Sequence, residues 1–337
     1  SPILDKASKT LGNGRHKQSF AKTEQGKAEP LTFVDVFCGC GGFTLGLLRA
    51  GLRCLAAIDF EPHAIATLKD NLVAKRHPKL LAPLHVLEKD LTVFRPEILA
   101  RMIGTSTVDV VVGGPPCQGF STARQVDGAN HGERLKADPR RHLYRHFLHY
   151  VDYFQPKVFV MENVLGLRTA AGGRYFTLVQ SEARILGQAS GHPGYRVQAQ
   201  IEDAWELGVP QKRRRQLIIG VRNDLPGYFA STLAPTASAT RRITLGAAIG
   251  DLPQLSAGSG ENRRNYDLKR REEHFNKYGA DARKYLSKVL EVELADKLTN
   301  HVSRPHGERD LRDFARLHEG ENSATAMRDR GIEFEFP

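Results

Sequence analysis

Cys117 sits in the most chemically loaded stretch of the chain, Gly113-Gly114-Pro115-Pro116-Cys117-Gln118-Gly119-Phe120-Ser121. A cysteine thiolate is accessible near neutral pH and strongly nucleophilic. Two glycines and two prolines fix the loop that carries it, and a rigid loop aims a nucleophile better than a floppy one. The competing reading is a loop cysteine packed as a small hydrophobe. The flanking Pro-Pro and Gln-Gly oppose that reading, because they are costly choices for packing alone.

A second constellation lies upstream. Asp35-Val36-Phe37-Cys38-Gly39-Cys40-Gly41-Gly42-Phe43 follows an apolar run and opens a helical one. Glycines in such a turn let the backbone approach a ligand, and the helix N-terminus offers free N–H groups to an anion. Asp59 closes the next apolar run and can hold the two hydroxyls of a ribose. Phe60 beside it can stack on a purine, and Asp90, near the end of a third run, can accept a bond from an adenine amino group. Together these describe a pocket for an adenosine-bearing cofactor, against the plainer reading of a structural tight turn. The dinucleotide fingerprint G-x-G-x-x-G is not met, since Thr44 stands where the third glycine belongs. That weighs against a nicotinamide oxidoreductase, as does the lack of a paired hydride-transfer site.

The elements that must position these groups read as alternating strands and helices. Strands are expected at 31–37, 55–58, 84–87, 108–112, 158–161, 197–201 and 216–221, with helices at 43–50, 63–71 and 142–154. The pattern predicts an α/β fold, a doubly wound sheet with helices on both faces, over residues 31–225. Cys117 then falls just past a buried strand, at the carboxyl edge where open α/β sheets bind ligands. Residues 1–30 read as a disordered leader and 226–240 as a linker. Residues 241–337 read as a mostly helical, peripheral extension.

Composition bounds the partners. The 337 residues are 40% hydrophobic and 26% charged, the profile of a soluble globular chain. No apolar run approaches the ~20 residues of a membrane span, and no signal peptide is evident. Four cysteines without a Cys-x-x-Cys pair indicate neither a metal site nor a disulfide framework, and a reducing compartment is the default. The net charge of +11 favours a polyanionic partner.

Four motifs in order then carry a resemblance. Pro115-Pro116-Cys117-Gln118-Gly119-Phe120-Ser121 resembles the catalytic motif of DNA cytosine-5 methyltransferases of bacterial type. Residues 35–43 resemble their first motif, which binds S-adenosylmethionine. Glu162-Asn163-Val164 is similar to their Glu-Asn-Val motif, and Gln211-Lys212-Arg213-Arg214-Arg215 to their Gln-x-Arg-x-Arg motif. The similarity spans roughly residues 31–225 and implies a Rossmann-like S-adenosylmethionine-dependent methyltransferase sheet.

It also implies roles. Phe37, Gly39, Gly41, Gly42 and Phe43 would surround the cofactor with Asp59, Phe60, Asp90, Leu91 and Pro115. Cys117 would add to C6 of cytosine, turning the ring into an enamine whose C5 attacks a methyl group. Glu162 would protonate or hydrogen-bond N3, Arg215 would meet the charge building toward O2, and Arg213 would position Arg215 or a phosphate. The plainer readings are a strand-end acid paired with an arginine and a solvated basic face. A base inside a duplex cannot be reached, so it must be flipped out. Gln118, Ser121, Arg124 and Arg140, in and beside the charged segment 122–141, would contact the DNA and close over it.

The family continues with a target-recognition region and two closing motifs, and neither closing motif is found in 241–337. Residues 300–305 and 309–317 resemble the lead into that region. The resemblance therefore implies a duplex DNA substrate, a second chain or further residues supplying the rest, no metal, and a cytoplasmic, nucleoid-associated place in bacterial restriction–modification. Two other readings stand beside it. A tRNA cytosine-5 methyltransferase on the same scaffold is disfavoured by Gly119-Phe120-Ser121. A non-catalytic DNA-binding subunit of a split enzyme is opposed by the intact Cys117, Glu162 and Arg215.

Overall fold

The computed structural model describes residues 29–74, 84–116, 142–227, 243–291 and 297–335. Seven strands form one sheet in the order β3-β2-β1-β4-β5-β7-β6. They are β1 (Thr32–Val36), β2 (Arg53–Asp59), β3 (His85–Glu88), β4 (Val110–Gly113), β5 (Val158–Asn163), β6 (Tyr195–Asp203) and β7 (Arg214–Arg222). The first five run parallel, whereas β7 is antiparallel to both β5 and β6. This is the α/β doubly wound architecture expected from the alternating runs, with a hairpin added at one edge.

Both faces are covered, as a largely parallel sheet requires. One face carries α1 (Gly42–Arg49) and α2 (Pro62–Leu68), whose Leu48, Ile65 and Leu68 pack on Phe33, Cys54, Ala57 and Val112. The other carries α3 (Pro96–Ile103) and α4 (Leu143–Phe154). Their Leu99, Phe147 and Val151 pack with Val34, Ile58, Val111 and Phe159. A short turn of helix, α5 (Gly166–Thr169), leads to α6 (Arg174–Arg184), which adds Val179 and Ala183 to the same cluster. Neighbouring residues of β1 point to opposite faces, so Phe33 and Val34 belong to different cores.

The expected strands and helices are present, most of them longer or shifted by a few residues. α2 ends at Leu68 and passes into a wider turn over Lys69–Ala74. Its start is set by Pro62 in the first turn and by Glu61, whose side chain caps the His63 N–H. α3 and α6 were not foreseen. α3 has the signals, Pro96 at its start and Gly104 in the left-handed region at its end. α6 buries only Val179 and Ala183, too thin an apolar stripe to read from sequence.

Beyond the sheet lie α7 (Leu245–Ile249), α8 (Leu268–Lys284), α9 (Glu308–Ala315) and α10 (Ser323–Arg330). Between them runs an antiparallel pair, β8 (Gly260–Arg264) and β9 (Leu298–Val302), in a region expected to be mostly helical. β8 is almost wholly exposed, so no alternation of apolar residues marks it. Leu31–Pro337 form one unit by their backbone contacts, and Arg49 of α1 reaches the Val289 carbonyl (2.9 Å) and Glu291 (3.0 Å). No helix among the described residues is long and apolar enough to cross a membrane. The leader expected at 1–30 and the linker at 226–240 fall almost wholly outside the described residues.

Candidate active site

Topology gathers the candidate residues at one edge of the sheet. β1, β2, β3, β4 and β5 end there, delivering Phe37, Asp59, Asp90, Pro115 and Glu162 in turn. β7 runs the other way, so its first residues, Arg214 and Arg215, lie at that edge with the last residues of β6. The strand order reverses between β1 and β4, the switch point at which such sheets open a crevice.

The cofactor side is built from backbone. Phe37, Gly39 and Gly41 all have positive φ (59°, 53° and 88°), which folds the chain sharply out of β1 into α1. At Gly41, the residue capping α1, an added Cβ would also press on Leu68 at 3.0 Å. Asp59 locks the turn: one carboxylate oxygen accepts the Gly39 N–H (2.8 Å), the other the Glu61 N–H (2.9 Å). Thr44, the residue that breaks the dinucleotide fingerprint, is buried and donates its hydroxyl to Asp35 Oδ2 (2.6 Å). It ties α1 to β1. Burial pushes the fully enclosed Asp35 carboxyl up to about 7, with Asp59 adding to the rise and Thr44 opposing it.

Beside this turn lies a cavity of about 280 Å³, lined by Phe37, Phe60, Lys89, Asp90, Leu91, Thr92, Pro116 and Leu143. Phe60, one of the lining side chains, is 60% exposed. Asp90 Oδ1 accepts the Thr92 N–H (2.8 Å) at the rim. Phe37, Phe60, Asp90 and Leu91 are thus brought together. Phe43 packs instead on the α1–α2 core, and Gly42 opens the first turn of α1 with free space around it. Lys89, Thr92 and Leu143 were not singled out from sequence, because nothing in their local pattern marks them as cavity lining.

The other side is built from charged side chains. Glu162, at the end of β5, pairs through Oε1 with Arg215 Nε at 2.7 Å. The two side chains are only 28% and 25% exposed. A Cβ at Gly114 would stand 3.3 Å from the second oxygen, Glu162 Oε2. One oxygen of Glu162 therefore serves Arg215, while the other faces the turn that leads into Cys117. Asn163 holds that turn: its amide donates to the Pro115 carbonyl (3.3 Å), while its Oδ1 accepts the Val164 N–H (2.8 Å). Pro115 is accordingly buried at the join between β4 and β5.

Asp203 shapes the β6–β7 connection by accepting the N–H groups of Trp205 and Arg213 (both 3.1 Å). Arg213 sits in that connection, exposed. Asn163 and Asp203 were missed as positioning residues, since their bonds to Pro115 and Arg213 reach across 48 and 10 residues. Cys117, Gln118, Ser121, Arg124, Arg140 and the remainder of 122–141 lie outside the described residues.

Comparison with known proteins gives the family. The family model for C-5 cytosine-specific DNA methylases matches residues 31–325. The type II methyltransferase M1.HphI of Haemophilus parahaemolyticus is 39% identical over 229 residues, 68% of this chain and 54% of that protein. The type II methyltransferase M.DdeI of Desulfomicrobium norvegicum is 33% identical over 298 residues, 87% of this chain and 62% of that protein. The chain thus spans between about half and two thirds of the length of these relatives. A crystal structure of a candidate DNA modification methyltransferase encoded within an E. coli prophage shares the fold. Its TM-score is 0.59 at 24% identity, over 86% of this chain and 76% of that one. The chain belongs to the C-5 cytosine-specific DNA methylase family.

Proposed function

We propose that this chain transfers a methyl group from S-adenosylmethionine to C5 of a flipped-out cytosine in duplex DNA, through a covalent Cys117–C6 adduct. The observation that carries the reading is the placement of the Glu162–Arg215 pair against Gly114, three residues before Cys117, on the sheet edge that also holds the 280 Å³ cavity.

The residues present fit the cofactor. Phe60 and Leu91 flank an apolar slot suited to a purine, Asp90 stands at its rim, and Asp59 is fixed beside the positive-φ turn as a ribose acceptor. When bound, S-adenosylmethionine supplies an electrophilic methyl group on its sulfonium. The chain's own groups activate the ring, and loss of the C5 proton to water then lets elimination across C5–C6 free the cysteine. The Pro115–Pro116 turn, held by Asn163, aims the Cys117 thiolate at C6. Glu162 acts as general acid toward N3 from Oε2, on the Gly114 side, its carboxyl carrying the proton in that step. The guanidinium of Arg215, steadied by Glu162 Oε1, meets the charge that builds at O2. Arg213, exposed in the β6–β7 connection, is placed to meet a phosphate. Gln118, Ser121, Arg124 and Arg140 close over the DNA.

The family and the type II relatives support a restriction–modification role, which would place the chain in the bacterial cytoplasm, close to the nucleoid. Further residues or a second chain would supply target recognition and complete the cofactor pocket. The test is transfer of labelled methyl groups to duplex DNA, with 5-methylcytosine as the product assayed. Product with the native chain and none with Cys117→Ser supports the reading. Tight DNA binding without product, even with the recognition region supplied, would mark a binding subunit instead.

A further inference from the structure

Between the β8–β9 ribbon and α2 runs a groove of about 450 Å³. Asp70 and Asn71 line it from the turn that follows α2, and Asn262, Arg263, Thr299 and Asn300 line it from the ribbon. All six are exposed. None of the six side chains is hydrogen-bonded or ion-paired to another described residue. Arg263 differs in this from the arginines further along the chain. Arg312, Arg316, Arg328 and Arg330 each meet a carboxylate at 3.2 Å or less.

The ribbon is shaped to the groove. Glu261 pairs with His301 and Arg263 with Thr299, and between those partners Asn300 takes a left-handed conformation (φ 55°). Asparagine is one of the few residues that adopts it. Thr299 and Asn300 both line the groove, whereas a regular strand sends neighbours to opposite faces. Lys69, Arg264 and Lys297 stand within two residues of the lining in sequence, so four cations face the carboxylates of Asp70 and Glu261.

Amide, hydroxyl and guanidinium groups are the set that proteins place on phosphate and sugar oxygens. The cationic surplus favours a polyanion. A concavity admits the backbone of a strand, not the floor of a duplex groove, so base edges are not its target. The groove is also close enough to the catalytic edge. α2 starts at Pro62, three residues after Asp59 closes β2. At about 1.5 Å per residue, Thr67 and Asn71 lie roughly 8–14 Å along it. That is well inside one turn of duplex, about 34 Å.

We propose that this groove takes the sugar–phosphate backbone of duplex DNA flanking the target base, as a contact that is neutral to sequence. The proposal rests on duplex DNA being the substrate, as read above. Arg263 meets a phosphate. Asn71, Asn262, Thr299 and Asn300 bond phosphate and sugar oxygens, and Asp70 opposes the approach and limits affinity.

The test follows binding of the full chain to random-sequence duplexes of about 12 and about 30 base pairs, roughly one and three turns, by fluorescence anisotropy over a range of salt. Arg263→Gln weakens binding of the longer duplex roughly fivefold and lowers the salt slope by about one, while the shorter duplex stays within about twofold. Arg263→Lys keeps the native salt slope. Asp70→Asn tightens binding of the longer duplex by about twofold.

Native affinity and salt slope in Arg263→Gln on the longer duplex, or an equal loss on both lengths, would overturn the proposal. Methyl transfer to DNA by the native chain would then leave the reading of the site standing. A change of oligomeric mass in Arg263→Gln by light scattering, with DNA binding unchanged, would give the groove to a protein and equally overturn it. If the native chain binds neither duplex and methylates no DNA, the proposal and the reading of the site fall together.

Discussion

The two halves of the site solve the same problem with different materials. On the cofactor side, shape is written into the backbone: three positive-φ residues in the turn between β1 and α1, and an aspartate whose two oxygens are both engaged by backbone N–H groups. On the base side, shape is held by side chains reaching between strands: Glu162 to Arg215, Asn163 to Pro115, Asp203 to the Arg213 N–H. The contrast suits the ligands. A tightly bound cofactor needs a preformed cradle. A base that arrives only after flipping needs charge placed where charge will develop. Substitutions on the two sides should therefore separate: base-side changes alter chemistry, and cofactor-side changes alter affinity.

The largest effect expected is at Arg215. Arg215→Ala lowers the single-turnover methylation rate roughly 10³-fold by removing the donor for O2, while the cofactor dissociation constant is unchanged. Rapid-quench kinetics beside cofactor titration checks both halves; a matching loss of cofactor affinity would erase the distinction between the two sides. Glu162→Gln comes next, with a rate loss on the order of 10²-fold, since the amide keeps the shape but cannot deliver the proton.

On the other side, Gly41→Ala forces a side chain into the left-handed region and against Leu68. It costs about 1–2 kcal/mol of stability and weakens cofactor binding, with the bound-state rate retained. Denaturant melts with and without cofactor report the two effects separately.

The most specific effect concerns Asp35. Its carboxyl is raised to about 7 by burial, so the folded chain keeps a proton that the unfolded chain releases nearer pH 4. The folded state binds more protons between those values. The contribution of Asp35 to stability is then fully present below about pH 4 and is lost as pH rises through about 7. Asp35→Asn removes that loss. The melting temperature of the variant, measured against the native chain, therefore gains as pH rises from 5 to 8. A constant difference across that range would contradict a proton held at this position.

The same contrast explains what the sequence made legible. Gly39-Cys40-Gly41-Gly42 and the strands around it could be read because a backbone turn leaves a local signature: glycines, a preceding apolar run, a following helix. Asp59, Phe60 and Asp90 were readable as strand-end residues. Glu162 and Arg215 became readable only as parts of motifs, since nothing local shows that β7 runs antiparallel and returns Arg215 to the edge where β5 ends. Asn163 reaches the Pro115 carbonyl 48 residues away and Asp203 takes the Arg213 N–H across the β6–β7 connection, which no local pattern records.

Thr44 shows the reverse case. Read as a failed glycine in a dinucleotide fingerprint, it is a buried strut bonded to Asp35. In the region from 243 onward, β8 escaped notice because Glu261, Asn262 and Arg263 are exposed on both faces, so burial imposes no period on them.

The central claim, that Cys117 attacks a flipped cytosine at this edge of the sheet, is tested most directly by covalent trapping. The chain is incubated with 5-fluorocytosine duplex DNA and S-adenosylmethionine, resolved under denaturing conditions, and the adduct mapped by peptide mass spectrometry. Fluorine at C5 blocks the final elimination, so a DNA-shifted species whose cross-link maps to Cys117, absent in Cys117→Ser, is the predicted result. An adduct that persists in Cys117→Ser, or maps to another residue, would contradict the claim.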